Sequence, residues 1–152
     1  MTESNEPSNL SRPDRILVAE DDDAMRDLLV GWLREAGYDV TACTSGLDLL
    51  AHLERSVLSG ELFEFDVVLS DIQMPLGSAL DVLDEFFGCD GVPPTILITA
   101  FGDRRTHEVA SHLGVATVLE KPFEKGRLMA EIQRLRTRDA SPGNPSIRMQ
   151  PP

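Results

Sequence analysis

The sequence predicts an α/β fold in which a doubly wound parallel sheet is covered by helices on both faces. Apolar segments of strand length alternate with amphipathic segments of helix length five times between Arg15 and Arg136. The strand segments are near-continuous apolar runs such as Ile16 to Ala19 and Val67 to Leu69, the pattern of strands buried on two faces. Four of these runs end in polar groups: Glu20 and Asp21, Asp71, Thr99, and Lys121 after Leu119. In sheets of this kind polar ligands collect at the carboxyl ends of the strands.

Strand one is Ile16 to Ala19. Helix one begins at about Asp23, where an acidic residue can cap the free N–H groups, and its apolar positions Met25, Leu28, Leu29, Trp32, Leu33 and Ala36 fall on one face before Gly37 stops it. Trp32 is expected in the core. Asp39 to Cys43 is a less apolar strand, a candidate edge. Ser45 caps helix two, which runs through Leu47, Leu50 and Leu53 to about Leu58. Strand three, from Val67, delivers Asp71 into the loop that holds Gln73 and Pro75. Helix three spans about Ser78 to Phe87, with Leu80, Leu83, Phe86 and Phe87 turned inward, and Pro93 and Pro94 stiffen the entry to strand four at Thr95. Helix four, about Arg104 to Leu113, offers only Val109, Ala110 and Leu113 to a core, so it is the least firmly anchored element. Strand five, Thr117 to Leu119, precedes helix five, which runs from about Glu124 through Leu128, Ile132 and Leu135.

A chain of 152 residues with this organisation is one domain, expected over residues 14–138, with disordered tails at 1–13 and 139–152 that hold six of the ten prolines. The formal charge of -12 repels phosphate backbones and anionic membranes, so neither nucleic acid nor membrane is an expected partner. With no signal peptide core and no spanning segment, a cytoplasmic location is expected. Cys43 and Cys89 form no CxxC or Cys/His cluster and are expected to be packed thiols. His52, His107 and His112 lack ligand spacing and are expected at the surface.

Three carboxylates gathered within about 4 to 5 Å repel by roughly 3 to 4 kcal/mol per pair at an effective dielectric near 20, so Glu20, Asp21 and Asp71 need a cation. A small set of oxygen ligands suits Mg²⁺, which keeps several waters and accepts a phosphate oxygen. Asp71, set apart from the acidic pair at the end of a buried strand, is then the natural nucleophile toward a phosphoryl group. Lys121 neutralises one phosphoryl oxygen and Thr99 donates a hydrogen bond to another.

The segments Ile16 to Asp22, Asp66 to Pro75, Ile96 to Ala100 and Leu119 to Phe123 resemble the four signature segments of the response-regulator receiver domain of bacterial two-component signalling. The resemblance covers about Arg15 to Arg136. It implies a flavodoxin-like sheet of five strands in the order 2-1-3-4-5. It further implies Asp71 as phosphoacceptor, Asp21, Asp71 and the Gln73 backbone carbonyl as Mg²⁺ ligands, Glu20 completing the acidic pair through water, Thr99 as the switch hydroxyl, Lys121 as the family's lysine, and a cis bond before Pro122. Two departures stand out. Val118 occupies the position where family members commonly carry an aromatic switch residue, and Ala79 stands where a glycine is usual, which shifts the turn after Asp71 to Gly77. Phe101 and Gln73 are expected to govern access of water to the acyl phosphate.

The resulting expectation is a stand-alone, chemotaxis-regulator-like receiver. It takes a phosphoryl group from a histidine kinase or phosphotransfer protein and changes its affinity for a downstream protein that docks on helix four, strand five and helix five. Lys125, Arg127, Arg134, Arg136 and Arg138 give helix five a positive face that an acidic partner fits. The protein would then be no enzyme beyond its own phosphotransfer and dephosphorylation. Two alternatives share the same residues: a receiver-fold binding module that phosphate does not switch, and a hydrolase with an aspartyl-phosphate intermediate, which a sheet this small gives little substrate pocket.

Overall fold

The computed structural model describes residues 14–59 and 64–140, with the elements β1 (Arg15–Ala19), α1 (Asp23–Glu35), β2 (Asp39–Cys43), α2 (Gly46–Ser59), β3 (Val67–Asp71), α3 (Ala79–Glu85), β4 (Thr95–Thr99), α4 (Arg104–His112), β5 (Thr117–Glu120) and α5 (Lys125–Ala140). The tails expected at 1–13 and 139–152 lie outside the described residues, save for 139 and 140, which α5 includes.

All neighbouring strands pair in parallel, in the order β2-β1-β3-β4-β5. β3 and β4 are buried at every residue, which explains their uninterrupted apolar character. β2 is an edge, and alternates buried Val40 and Cys43 with exposed Asp39 and Ala42. One face of the sheet packs Ile16, Val18, Leu69 and Ile98 against Leu29 and Leu33 of α1 and Leu128 and Ile132 of α5. On the other face, Leu17, Val68 and Leu97 pack against Leu49 and Leu53 of α2, Val82 and Leu83 of α3 and Ala110 of α4. Each fully buried leucine or isoleucine here contributes on the order of 1.5 to 3 kcal/mol. α4 places only Ala110 fully in the core, the weak anchorage its sequence predicts.

Side-chain oxygens cap the first four helices. Asp22 accepts from the Met25 amide at 2.8 Å, Ser45 from Asp48 at 3.1 Å, Ser78 from Leu80 at 3.0 Å and Asp103 from Thr106 at 2.8 Å.

Several side chains expected inside are not. Leu28 is 46% exposed and Leu47 56%, because the apolar stripes of α1 and α2 are wider than the strip of helix the sheet covers. Trp32 is only half-buried, lying along the rim of the α1 and α5 core rather than within it. Phe87 is 58% exposed because α3 ends at Glu85 and the chain turns away before its ring can reach the sheet. Cys89 is exposed, whereas Cys43 is buried and its thiol is pushed up to about 12 by burial. Among the described residues no helix is long and apolar enough to cross a membrane.

Candidate functional site

The carboxyl end of the sheet gathers groups from four strands, β1, β3, β4 and β5. β1 and β3 lie side by side in the register Ala19 to Ser70, so the residues that follow, Glu20 and Asp71, leave the sheet next to each other. Glu20 and Asp71 are buried while Asp21 is exposed, and one carboxylate oxygen from each of the three lies within 4.8 Å of the others. Lys121, at the end of β5, reaches across β4 to donate to Oδ2 of Asp71 at 3.0 Å and to Oε1 of Glu20 at 3.5 Å.

The electrostatics follow from that packing. Burial pushes the Glu20 carboxyl above its ordinary range and the charge of Asp71 adds to this, while the Asp22 amide and Lys121 pull the other way. For Lys121 burial alone would lower the ammonium, yet the hydrogen bond and charge of Asp71, followed by Glu20, outweigh it and hold it above the usual lysine range. Three carboxylates gathered around one lysine, the local cation, form a donor set in which burial and the charge of Asp71 already disfavour ionised Glu20. All-oxygen and carboxylate-rich, these residues fit a hard divalent ion such as Mg²⁺.

The remaining sequence-derived residues stand around this cluster. The Gln73 amide donates to Oδ1 of Asp71 at 3.1 Å, so both oxygens of Asp71 are held. Thr99 is buried at the end of β4, in register with Glu120, and its hydroxyl accepts from the Phe101 amide at 3.1 Å rather than bonding to Asp71. The Lys121 amide donates to the Thr99 carbonyl at 2.8 Å and the Lys121 to Pro122 bond is cis. The Phe101 ring is 86% exposed. Val118 is half-buried against the core shared by α2, α3 and α4. The chain after Pro75 turns through Leu76 at φ 61° and Gly77 at φ 115°, which places buried Ala79 at the start of α3.

Two contacts at the site escape sequence reasoning. Arg26, one turn into α1, donates to the Glu20 carbonyl at 3.0 Å and fixes the β1 to α1 corner. Gly46 sits so close to Gly77 that a Cβ would collide with the Gly77 carbonyl, and the Gly46 amide donates to the Pro75 carbonyl at 3.0 Å. Both glycines are visible in the sequence, but their proximity is tertiary.

A family model described as the response regulator receiver domain matches residues 16–133, most of the chain and all of this site. The chain belongs to the response regulator receiver domain family. This receiver domain is 31% identical over 130 residues to the transcriptional regulatory protein CpxR homolog of Haemophilus influenzae, covering 86% of this chain and 53% of that protein. It is 29% identical over 133 residues to the transcriptional regulatory protein PdtaR of Mycobacterium tuberculosis, covering 88% of this chain and 62% of that one. The chain thus spans 53% and 62% of the length of these two curated relatives. Its fold is similar to that of a CheY-like response regulator receiver domain protein from Methanospirillum hungatei JF-1, with a TM-score of 0.73, 22% identity and coverage of 84% of this chain and 98% of that one. A receiver domain of this family implies signalling through a phosphorylated aspartate.

Proposed function

We propose that Asp71 is the aspartate that accepts the phosphoryl group. One observation carries the reading: among the described residues, Asp71 is the buried carboxylate that has a lysine ammonium at 3.0 Å and shares with Glu20 and Asp21 a cluster no wider than 4.8 Å. A carboxylate oxygen of Asp71 attacks phosphorus and the bond from phosphorus to the donor, a histidine kinase or phosphotransfer protein, breaks as the imidazole nitrogen takes back the electron pair and is protonated. Lys121 stays with the transferred phosphoryl oxygens, where its charge offsets theirs. The Asp21 and Asp71 carboxylates and the Gln73 carbonyl would hold Mg²⁺, with Glu20 acting through water. The ion supplies charge neutralisation of the phosphoryl oxygens. Thr99 is the switch hydroxyl: its O–H donates to a phosphoryl oxygen while its oxygen accepts from the Phe101 amide, so a shift of the hydroxyl toward the phosphoryl group is passed to the chain leading into α4.

The reader of that movement is a protein docked on α4, β5 and α5, in the cytoplasm. A cleft of about 460 Å³ lined by Val118, Glu120, Pro122, Phe123 and Arg127 supports this face. The positive face of α5 is partly paired within the chain, Lys125 to Glu35 at 3.0 Å and Arg134 to Glu131 at 2.7 Å. A second reading, a binding module that phosphate does not switch, is motivated by Val118, Ala79 and Phe101.

The test is incubation with acetyl phosphate and Mg²⁺ followed by intact mass measurement. The expected result is a gain of one phosphate that disappears in Asp71→Asn and in EDTA. An unchanged mass for the unaltered protein favours the unswitched module, and turnover of external phosphate esters favours a hydrolase.

A further inference from the structure

On the α2, α3 and α4 side of the sheet, away from the acidic cluster, α3 and α4 leave a cleft of about 330 Å³ between them. Leu80, Val109 and Leu113 supply its apolar lining, and Asp81, Asp84 and Glu108 supply acidic groups. Glu108 is paired with Arg104 at 3.2 Å, whereas Asp81 and Asp84 are exposed and make no ion pair among the described residues. Beyond Asp84 the exposed Phe87 ring stacks on His112 with centroids 5.5 Å apart. Leu113 also walls a second cleft of about 210 Å³ that continues past Phe87 to Val92 and Pro93. The result is an apolar strip bordered by carboxylates on α3.

We propose that this α3 and α4 cleft docks a basic amphipathic helix of a partner protein. Apolar side chains one turn apart on such a helix fill the strip, and lysines or arginines on its flank reach Asp81 and Asp84. Charge selects the partner: with a net charge of -12 on the chain and two unpaired carboxylates at the cleft, an acidic helix or a nucleic acid is repelled while a basic helix is steered in. A second copy of this chain is a poorer occupant, because Lys125, Arg134 and Arg136 of its α5 already pair with Glu35, Glu131 and Asp14. The inference does not depend on phosphorylation of Asp71, and the cleft is separate from the one on β5 and α5.

The probe is a fluorescent helix of leucine and lysine, roughly four turns long, titrated into the unphosphorylated full chain. A peptide of the same composition with its leucines scattered around the helix is the comparison. The expected result is binding by the amphipathic peptide with shifts of the Leu80, Val109 and Leu113 methyl resonances, and an affinity about fivefold weaker for Asp81→Asn with Asp84→Asn. Phe87→Ser, at an exposed position, is expected to weaken it about threefold. The same charge change on α1, Asp27→Asn with Glu35→Gln, leaves binding within about twofold. Equal binding of the scattered peptide, equal loss from the α1 pair or silent methyl resonances would each overturn the proposal. A self-associated dimer that the α3 substitutions dissolve would overturn it in favour of a second copy.

Discussion

The Lys121 ammonium lies 3.0 Å from Oδ2 of Asp71 although the strands that carry them, β5 and β3, are separated by β4. A lysine has the length to span the intervening strand end, and its butyl stem is partly shielded there, with the side chain 23% exposed. The same ammonium reaches Glu20, so one cation ties the ends of β1, β3 and β5 together.

Removing that cation leaves two buried carboxylates facing each other. Lys121→Met is expected to lower stability in EDTA by about 1 to 3 kcal/mol, less than for a fully buried pair because Lys121 is partly exposed. Mg²⁺ recovers much of the loss, since the ion replaces the missing charge. Urea denaturation with and without Mg²⁺ measures both, and a variant as stable as the parent in EDTA contradicts the expectation.

The raised Glu20 carboxyl sets a pH dependence. Between the ordinary glutamate value of 4.5 and its higher folded value, the folded chain keeps a proton that the unfolded chain has lost, so this group's contribution to stability falls as pH rises through that window. Lys121, also raised, works in a separate alkaline window: its contribution is full below the ordinary lysine value of 10.5 and is lost above it. Glu20→Gln is therefore expected to remove part of the decline on the neutral side of pH 4.5 and to shrink the alkaline limb without abolishing it, because Asp71 still holds Lys121. Urea midpoints in EDTA across both windows report it, and identical slopes for parent and variant would count against the assignment.

Gly46 and Gly77 make a backbone contact with no room for a methyl group. Gly46→Ala is expected to cost about 2 kcal/mol or more, because the obstructing atom is a carbonyl oxygen that cannot rotate aside. It also shifts the loop after Asp71, so the Gln73 amide moves relative to Oδ1. Thermal melts and the rate of acetyl phosphate incorporation should change together; a melt that drops without any change in rate breaks the link between this contact and the site.

For Phe101 the expectation concerns lifetime. Its ring is exposed, and shielding a phosphorylated Asp71 requires it to fold inward over the site. Phe101→Ala is expected to speed autodephosphorylation by about threefold to tenfold, equivalent to roughly 1 kcal/mol of barrier. An unchanged decay rate removes Phe101 from that role and leaves Gln73 as the candidate.

Much of this was legible in the sequence because the informative residues sit at strand ends. Val67 to Leu69 and Ile96 to Ile98 can be little else than central strands, and such strands set Asp71, Thr99 and Lys121 on one edge. Burial at the margins of an amphipathic stripe was not legible. Leu28, Trp32 and Phe87 have helical spacing, but whether the flank of a helix meets the sheet depends on its tilt and on where it ends. Hydrogen-bond direction was also hidden: a buried threonine has several acceptors and donors in reach, and the choice of the Phe101 amide by Thr99 depends on loop geometry. The meeting of Gly46 with Gly77 joins the first residue of α2 to the loop after β3, 31 positions on, and leaves no local periodicity.

The shallow seating of α4, with Ala110 as its one fully buried side chain, carries an evolutionary consequence. Most exposed positions on that helix can be rewritten by mutation with little cost to the fold, so its outer surface is free to drift while the packing beneath it is held.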